Sequence, residues 1–504
     1  MPATKRRCGV LLHPTSLPGR EGIGTLGSNA YQFIDFLSSA GMSLWQMLPL
    51  SPPACGNSPY SAFSAFAGNP LLIDLEQLVE QGDLSPSSLD DGQTGVPSRV
   101  DFAAVSAIKP SLLASAAQTF LTAGRSTQME EFWHFCDTTP WLHDYALFTA
   151  LHRRYRGRPW NRWPRDAALL THDMHESASV ALGEEIGIQK YIQWRFHQQW
   201  NDLHRYAKQC GIGLIGDLPI FVAYDSVDVW RNRHLFLLDQ AGKPTAVAGV
   251  PPDYFSKTGQ LWGNPLYDWA AMARDDYRWW VERFRHILNM FDTVRIDHFR
   301  GFEAAWHVPA GQRTAVRGRW VAGPGAQLFD RVQDALGRLP VIAEDLGIIT
   351  PAVEELRDRY CFPGMKILQF AFGSGPDNPY LPHNHIRNSV VFTGTHDNDT
   401  TVGWAQAIGA DTRDHCCRYL GSNGSNPAED LIRIALMSVA DTAILPFQDL
   451  LGLASPSRMN VPGNAFGNWE WRFEWDGVSG RLADEYAALL HRYGRFNADS
   501  KQKS

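Results

Sequence analysis

Eight short apolar runs, each bounded by turn residues, constrain what this chain can fold into more than any other feature of it. They are "CGVLLH" (8–13), "SLWQMLPL" (43–50), "GLIGDLPIFV" (213–222), "DTVRID" (292–297), "PVIAED" (340–345), "MKILQFAF" (365–372), "SVVFTGTHD" (389–397) and "TAILPFQD" (442–449). Stretches such as "SNAYQFIDFLSSAG", "YRWWVERFRHILNMF" and "AQLFDRVQDALGR" lie between them, with apolar residues at helical spacing. Alternating strand and helix predicts the α/β class, as a parallel (β/α)8 TIM barrel. The spacing is uneven. It predicts a single barrel over 1–504, with a helical insertion at 74–200 between strands two and three and a Gly/Pro-rich, lid-bearing insertion at 224–290 between strands three and four.

Charges crowd the ends of these strands. In "FDTVRIDHFRGFE" (291–303) side chains alternate faces, so Arg295 and Asp297 share one face while Val294 and Ile296 take the other. An arginine beside a carboxylate holds it ionised, as a nucleophile or electrostatic stabiliser requires. Two further strands end in carboxylates: Glu344 with Asp345, and Asp397 with Asp399. Active sites of such barrels lie at the C-terminal strand ends. One carboxylate there could be structural, but carboxylates on three strands converge on one mouth.

Composition narrows the ligand. The net charge is -7 and no run of Lys or Arg extends beyond residues 5–7, which excludes a nucleic-acid partner. The run "CGVLL" is cut by His13 and Pro14, too short for a membrane span or signal segment. Seven cysteines without framework spacing fit reduced thiols, so a cytoplasmic location is expected. Aromatic residues reach 12%, and "NWEWRFEW", "PWNRWPRD" and "QLWGNP" set Trp among polar residues, which suits the apolar faces and hydroxyls of sugars.

Two other patterns compete. "GIGTLG" (22–27) fits a dinucleotide-binding loop, but no acidic residue stands between Asp35 and Asp74 to hold a ribose. These glycines are expected to form a flexible loop at the barrel mouth. The alternative function is a metal-dependent TIM-barrel hydrolase, with His298, His396, Asp397 and Asp399 gathering a divalent ion. No Cys/His pair stands at zinc spacing, and the first strand offers only His13.

Glycosidic bond chemistry needs one carboxylate near the anomeric carbon and another group to protonate the leaving oxygen. "RIDHFRG", "AEDLG" and "GTHDND" resemble, in that order, strands four, five and seven of the α-amylase superfamily. The fuller resemblance is to the amylomaltases, the 4-α-glucanotransferases also called disproportionating enzymes. It runs through "LLHPTSLPG", "SPYSAFSAFAGNP", "GDLPIFV", "GVPPDYFSKTGQLWGNPLY" and "NVPGNAFGNWEWR".

The resemblance implies a retaining transferase acting on α-1,4-glucans and maltooligosaccharides, with glucose released and no cofactor or metal. Asp297 would be the nucleophile, Glu344 the general acid/base, and Asp397 the carboxylate that binds sugar hydroxyls. Arg295 would orient and ionise Asp297, His396 would contact the same sugar, and Tyr60 would be the platform beside it. Ser58, Asp217 and His298 are further substrate-binding candidates, and Phe255, Gln260 and Trp262 would belong to a lid. Cys55 departs from the family at an accessory groove. The resemblance further implies that no β-sandwich follows the barrel, that Glu344 has a raised pKa, and that the two catalytic carboxyls lie roughly 5 to 5.5 Å apart.

Overall fold

The computed structural model describes residues 6–498 apart from 55, 93–95, 97, 124–125, 253–255 and 465. Eight parallel strands close a barrel: β1 (Arg7–Leu11), β2 (Leu44–Gln46), β3 (Gly213–Pro219), β4 (Thr293–Asp297), β5 (Val341–Ala343), β6 (Gly364–Ile367), β7 (Ser389–Phe392) and β8 (Thr442–Pro446). Each pairs with its neighbours in sequence, and β8 returns to β1. All eight coincide with the expected runs, the first and sixth beginning one residue earlier, at Arg7 and Gly364.

The strands are shorter than those runs because ladder pairing stops where each segment turns outward at the mouth. Backbone bonding fades gradually there: Leu12 N–H still donates to Gln46 and Met47 N–H to Ile215, at 3.0 and 2.9 Å. These post-strand segments carry the functional side chains.

Helices sheathe the barrel through apolar stripes. In Ser28–Ser39 the buried residues are Ala30, Phe33, Ile34 and Leu37, the spacing that puts side chains on one face. Phe33 meets Trp45 of β2 edge-on at 4.9 Å and Phe447, just past β8, at 5.3 Å. Burying a side chain of this size contributes about 1.5–3 kcal/mol. Truncating Phe33 to Ala would cost about 3–5 kcal/mol through the cavity left behind.

Between β2 and β3 run helices Phe102–Ala123, Leu142–Arg154 and the long Gly183–Gln209, among shorter ones. The last of these does more than fill space. Gln193 exchanges two hydrogen bonds with the Gly68 backbone, at 2.8 and 2.9 Å, and Gln199 does the same with Asp74. The loop after β2 is thereby pinned to a rigid helix.

Two expectations change. The glycines of 22–27 do not form a flexible loop: the segment is buried, and a Cβ on Gly24 would lie 2.0 Å from the Pro14 carbonyl oxygen. Glycine is required there for close backbone approach. The inserts around β4 also build something the sequence did not announce, a four-stranded antiparallel sheet. Its order is Gln260–Pro265, Ala246–Val250, Ala304–Pro309, Arg319–Ala322. Half of it lies after β4, so the sheet draws on two inserts. A bulge interrupts its first pairing between Val247 and Gly249.

Beyond β8 the described residues form helices and loops, and no strand. Among them no helix is long and apolar enough to cross a membrane.

Candidate active site

The barrel register assembles the site. β3 pairs with β4 so that Asp217 lies opposite Arg295, and β4 pairs with β5 so that Ile296 lies opposite Ala343. One residue further along, Asp297 and Glu344 come level at the C-terminal rim.

Arg295 is buried and holds this constellation together. Its Nη1 donates to both oxygens of Asp217, at 2.7 and 2.6 Å, charge-assisted bonds from a single nitrogen. Nη2 lies 2.9 Å from Glu344 Oε2 and donates to Asp297 Oδ1 at 3.4 Å. Glu344 accepts a second strong bond from the backbone N–H of His298, at 2.6 Å. His298 reaches that position through a left-handed conformation, φ 50°. Non-glycine residues adopt it at a cost that the surrounding fold must offset.

The Glu344 shift runs opposite to the one expected. Burial and the Glu344 charge push the Asp297 carboxyl well above the usual carboxylate range. Burial pushes Glu344 upward too, but Arg295 and the His298 N–H outweigh it and hold Glu344 below its ordinary value. The two carboxyls share a hydrogen bond. The shifts oppose because Arg295 Nη2 lies nearer to Glu344 than to Asp297 and the backbone donor serves Glu344 alone. Glu344 is thus lowered where a raised value was expected.

Tyr60, on the pinned loop, donates to Asp217 Oδ2 at 2.7 Å and stacks on the His396 ring, centroids 5.1 Å apart at 17°. Burial first, and Asp217 second, raise its hydroxyl well above the ordinary tyrosine value, so it remains a donor. Asp217 therefore supports both Arg295 and Tyr60. Ser58 shapes the turn beneath, accepting from the Tyr60 N–H at 3.3 Å.

Trp262 stands edge-on to His298 at 4.8 Å and is 38% exposed, its indole N–H donating to Gln260 Oε1 at 3.1 Å. Burial lowers the His298 ring to about 4, so it is neutral near pH 7, and its Nε2 is buried without a partner. Phe255 and Cys55 lie outside the described residues. The structure thus brings Tyr60, Asp217, Arg295, Asp297, His298, Glu344 and His396 into one connected network.

Asp397 follows the β7 end and is exposed at the mouth. The two other strand-end carboxylates, Asp345 and Asp399, have other duties. Asp345 pairs with Arg357 and accepts from the Met365 N–H at 2.7 Å, while Asp399 accepts from Ser455 and the Thr400 N–H.

The metal alternative fails on this geometry. His298 faces Trp262, His396 lies against Tyr60, and Asp399 is turned to Ser455. Among the described residues no group of three or more His, Cys, Asp or Glu is placed to hold a metal ion.

Sequence reasoning missed Arg458, Asn460 and Trp469. The Trp469 ring lies 5.9 Å from Tyr60 and 6.0 Å from His396. All three sit in the segment after β8, and its position at a C-terminal strand end was the available signal.

Comparison with known proteins agrees with this arrangement. A family model described as 4-alpha-glucanotransferase matches residues 12–477. A 4-alpha-glucanotransferase from Synechocystis sp. is 48% identical over 496 residues, 97% of this chain and 98% of that protein. One from Thermus thermophilus is 48% identical over 495 residues, 96% and 97% of the respective lengths. The amylomaltase from Streptococcus agalactiae, solved in complex with acarbose, superposes with a TM-score of 0.95 at 37% identity, over 98% of this chain and 100% of that one. Barrel, carboxylate network and full-length similarity agree, and the chain belongs to the 4-alpha-glucanotransferase family.

Proposed function

We propose that this 4-alpha-glucanotransferase moves α-1,4-glucan segments between maltooligosaccharides by a retaining double displacement, with glucose as a released product. Asp297 attacks the anomeric carbon while Glu344 donates a proton to the departing glycosidic oxygen. The bond from that oxygen to the anomeric carbon breaks as the bond to Asp297 forms. A glucan 4-hydroxyl then attacks the glycosyl-enzyme, Glu344 takes its proton, and Asp297 leaves.

The observation that carries this is the pair of carboxyls at adjoining strand ends, Asp297 and Glu344, with Arg295 Nη2 reaching both. The first step needs one proton on the pair, held by Glu344, with Asp297 ionised. Asp397 and His396 bind hydroxyls of the same sugar, with Tyr60 as its platform. The unpartnered His298 Nε2 is a ready partner for a further hydroxyl.

The barrel acts as one catalytic unit over 1–504. The helices of 74–200 buttress the loop carrying Tyr60, and 224–290 carries the lid with Phe255, Gln260 and Trp262. The described cysteines are free thiols, which favours the cytoplasm. Incubation with maltotriose tests the whole proposal. Longer maltooligosaccharides plus glucose are expected; shorter sugars alone would mean hydrolysis.

A further inference from the structure

Asp397 presents a problem that its own strand does not solve. It stands on a loop, its side chain is 48% exposed, and an exposed carboxylate is free to turn unless something holds it. The segment 458–460, which arrives after β8, supplies the hold. Asn460 Nδ2 donates to Asp397 Oδ1 at 2.6 Å, and the Asn460 N–H donates to the His396 carbonyl at 3.1 Å. Arg458 ties the two chains across the gap: its Nη2 donates to the Asp397 carbonyl at 2.5 Å and its Nε to the Asn460 carbonyl at 2.7 Å.

The clamp is itself anchored. Met459, between the two, is buried; its carbonyl accepts from the Trp469 N–H at 2.7 Å, and its sulfur lies 3.9 Å from the Ser16 hydroxyl, near β1. The His396 Nε2 also lies 3.4 Å from Asp397 Oδ1. Both contacts fall on Oδ1. They leave Oδ2 for a ligand.

We propose that Asn460 is a positioning residue for the transfer reaction: its amide fixes the Asp397 rotamer, aiming Oδ2 at the sugar, while Arg458 fixes the backbone beneath. This rests on the proposed role of Asp397. The chemistry explains the residue type. A neutral donor restrains a carboxylate without competing with a sugar hydroxyl for the negative charge, as a cation would, and without repelling it, as a second carboxylate would.

Two substitutions separate positioning from packing. Asn460→Asp keeps the shape and reverses the polarity, whereas Asn460→Ala loses both shape and donor. Positioning requires the isosteric variant to be the worse: kcat on maltotriose falls about tenfold in Asn460→Ala and a hundredfold or more in Asn460→Asp, with KM changing less than kcat and melting unchanged. If Asn460→Ala is the worse, or Asn460→Asp stays within about twofold of the parent, the amide only packs the loop and the proposal is overturned.

Asp397→Asn provides the second arm. Added to Asp397→Asn, the Asn460→Asp change should cost nothing further, since there is no charge left to aim or repel. Costs that multiply would show independent action and overturn the proposal. An Asp397→Asn variant with normal kcat would overturn the role of Asp397 itself. Inert Asn460 variants beside an impaired Asp397→Asn would overturn only the clamp.

Discussion

Arg295 stands closer to Glu344 than to Asp297, at 2.9 Å against 3.4 Å, although it shares a strand with Asp297. Its other nitrogen is committed to Asp217, so the guanidinium cannot swing to even the balance. Arg295→Lys would replace a fork with a point charge. We expect kcat/KM to fall at least about a hundredfold, as for the loss of several charge-assisted bonds. Glu344 would lose one of the two donors that keep it ionised, and a carboxylate with less positive charge nearby binds its proton at higher pH. The acid limb of kcat/KM should therefore move upward. A limb that stays in place would mean that the His298 N–H alone ionises Glu344.

The roles of the two carboxyls separate by leaving group. A glucosyl fluoride donor needs little protonation, so Glu344→Gln should still form the covalent intermediate from it and then stall. Azide needs no base and should restore turnover. With Asp297→Asn neither event should occur. Absence of a trapped glucosyl adduct on Glu344→Gln, by mass spectrometry of the intact protein, would count against Glu344 as acid/base.

What the sequence made legible was the part that short-range pattern determines. Period-two and helical spacing located eight strands, and strand alternation placed Arg295 and Asp297 on one face before any register was known. The opposed shifts of the two carboxyls were not legible. They depend on a difference between two distances from one guanidinium and on the φ of His298, neither of which has a local signature. Asn460 escaped for a related reason: it lies 63 residues beyond Asp397 in the chain, and only the parallel pairing of β7 with β8 brings the segments that follow them together. The antiparallel sheet was hidden because "QLWGNP" reads as turn residues, and its pairing with Ala246–Val250 passes through a bulge.

Tyr60 combines a donor and a platform, and the two can be taken apart. Tyr60→Phe removes only the bond to Asp217 and should cost about fivefold in kcat/KM, the net worth of one hydrogen bond of about 1 kcal/mol. Tyr60→Ala also removes the ring stacked on His396 and should raise KM much further. Equal effects of the two variants on maltotriose kinetics would deny the ring any part in binding.

Asp228 gives a stability prediction with a definite sign. It is buried at the start of helix Val227–Arg231 and accepts from the Ala65 N–H at 2.7 Å, joining that helix to the loop after β2. Burial raises its carboxyl to about 6, only partly offset by the Ala65 N–H and Arg283. The folded protein thus binds this proton more tightly than the unfolded chain. Its contribution to stability is full below about pH 4 and lost as pH rises through about 6. Asp228→Asn keeps an acceptor for Ala65 without the charge. It should stabilise the fold by about 3 kcal/mol near pH 7.5 and by almost nothing at pH 4. Melting curves at the two pH values check this; a gain independent of pH would mean that the charge is not the cause.

Water is the competitor that a transferase has to exclude, because it outnumbers sugar hydroxyls around any glycosyl-enzyme. Trp262 is placed to contribute: its ring stands over His298, whose backbone N–H serves Glu344, and it lies on a strand next to a bulge. A side chain 38% exposed has surface left to bury against a glucan. Covering the site also strengthens every electrostatic interaction within it. Trp262→Ala should therefore raise the ratio of hydrolysis to transfer on maltotriose several-fold while melting stays within a degree or two, since an edge-strand residue so exposed contributes little to the core. Gln260→Ala removes the acceptor that holds the indole N–H and should shift the ratio in the same direction by less. If free glucose and reducing ends rise in neither variant, the intermediate is protected from water by something other than this strand.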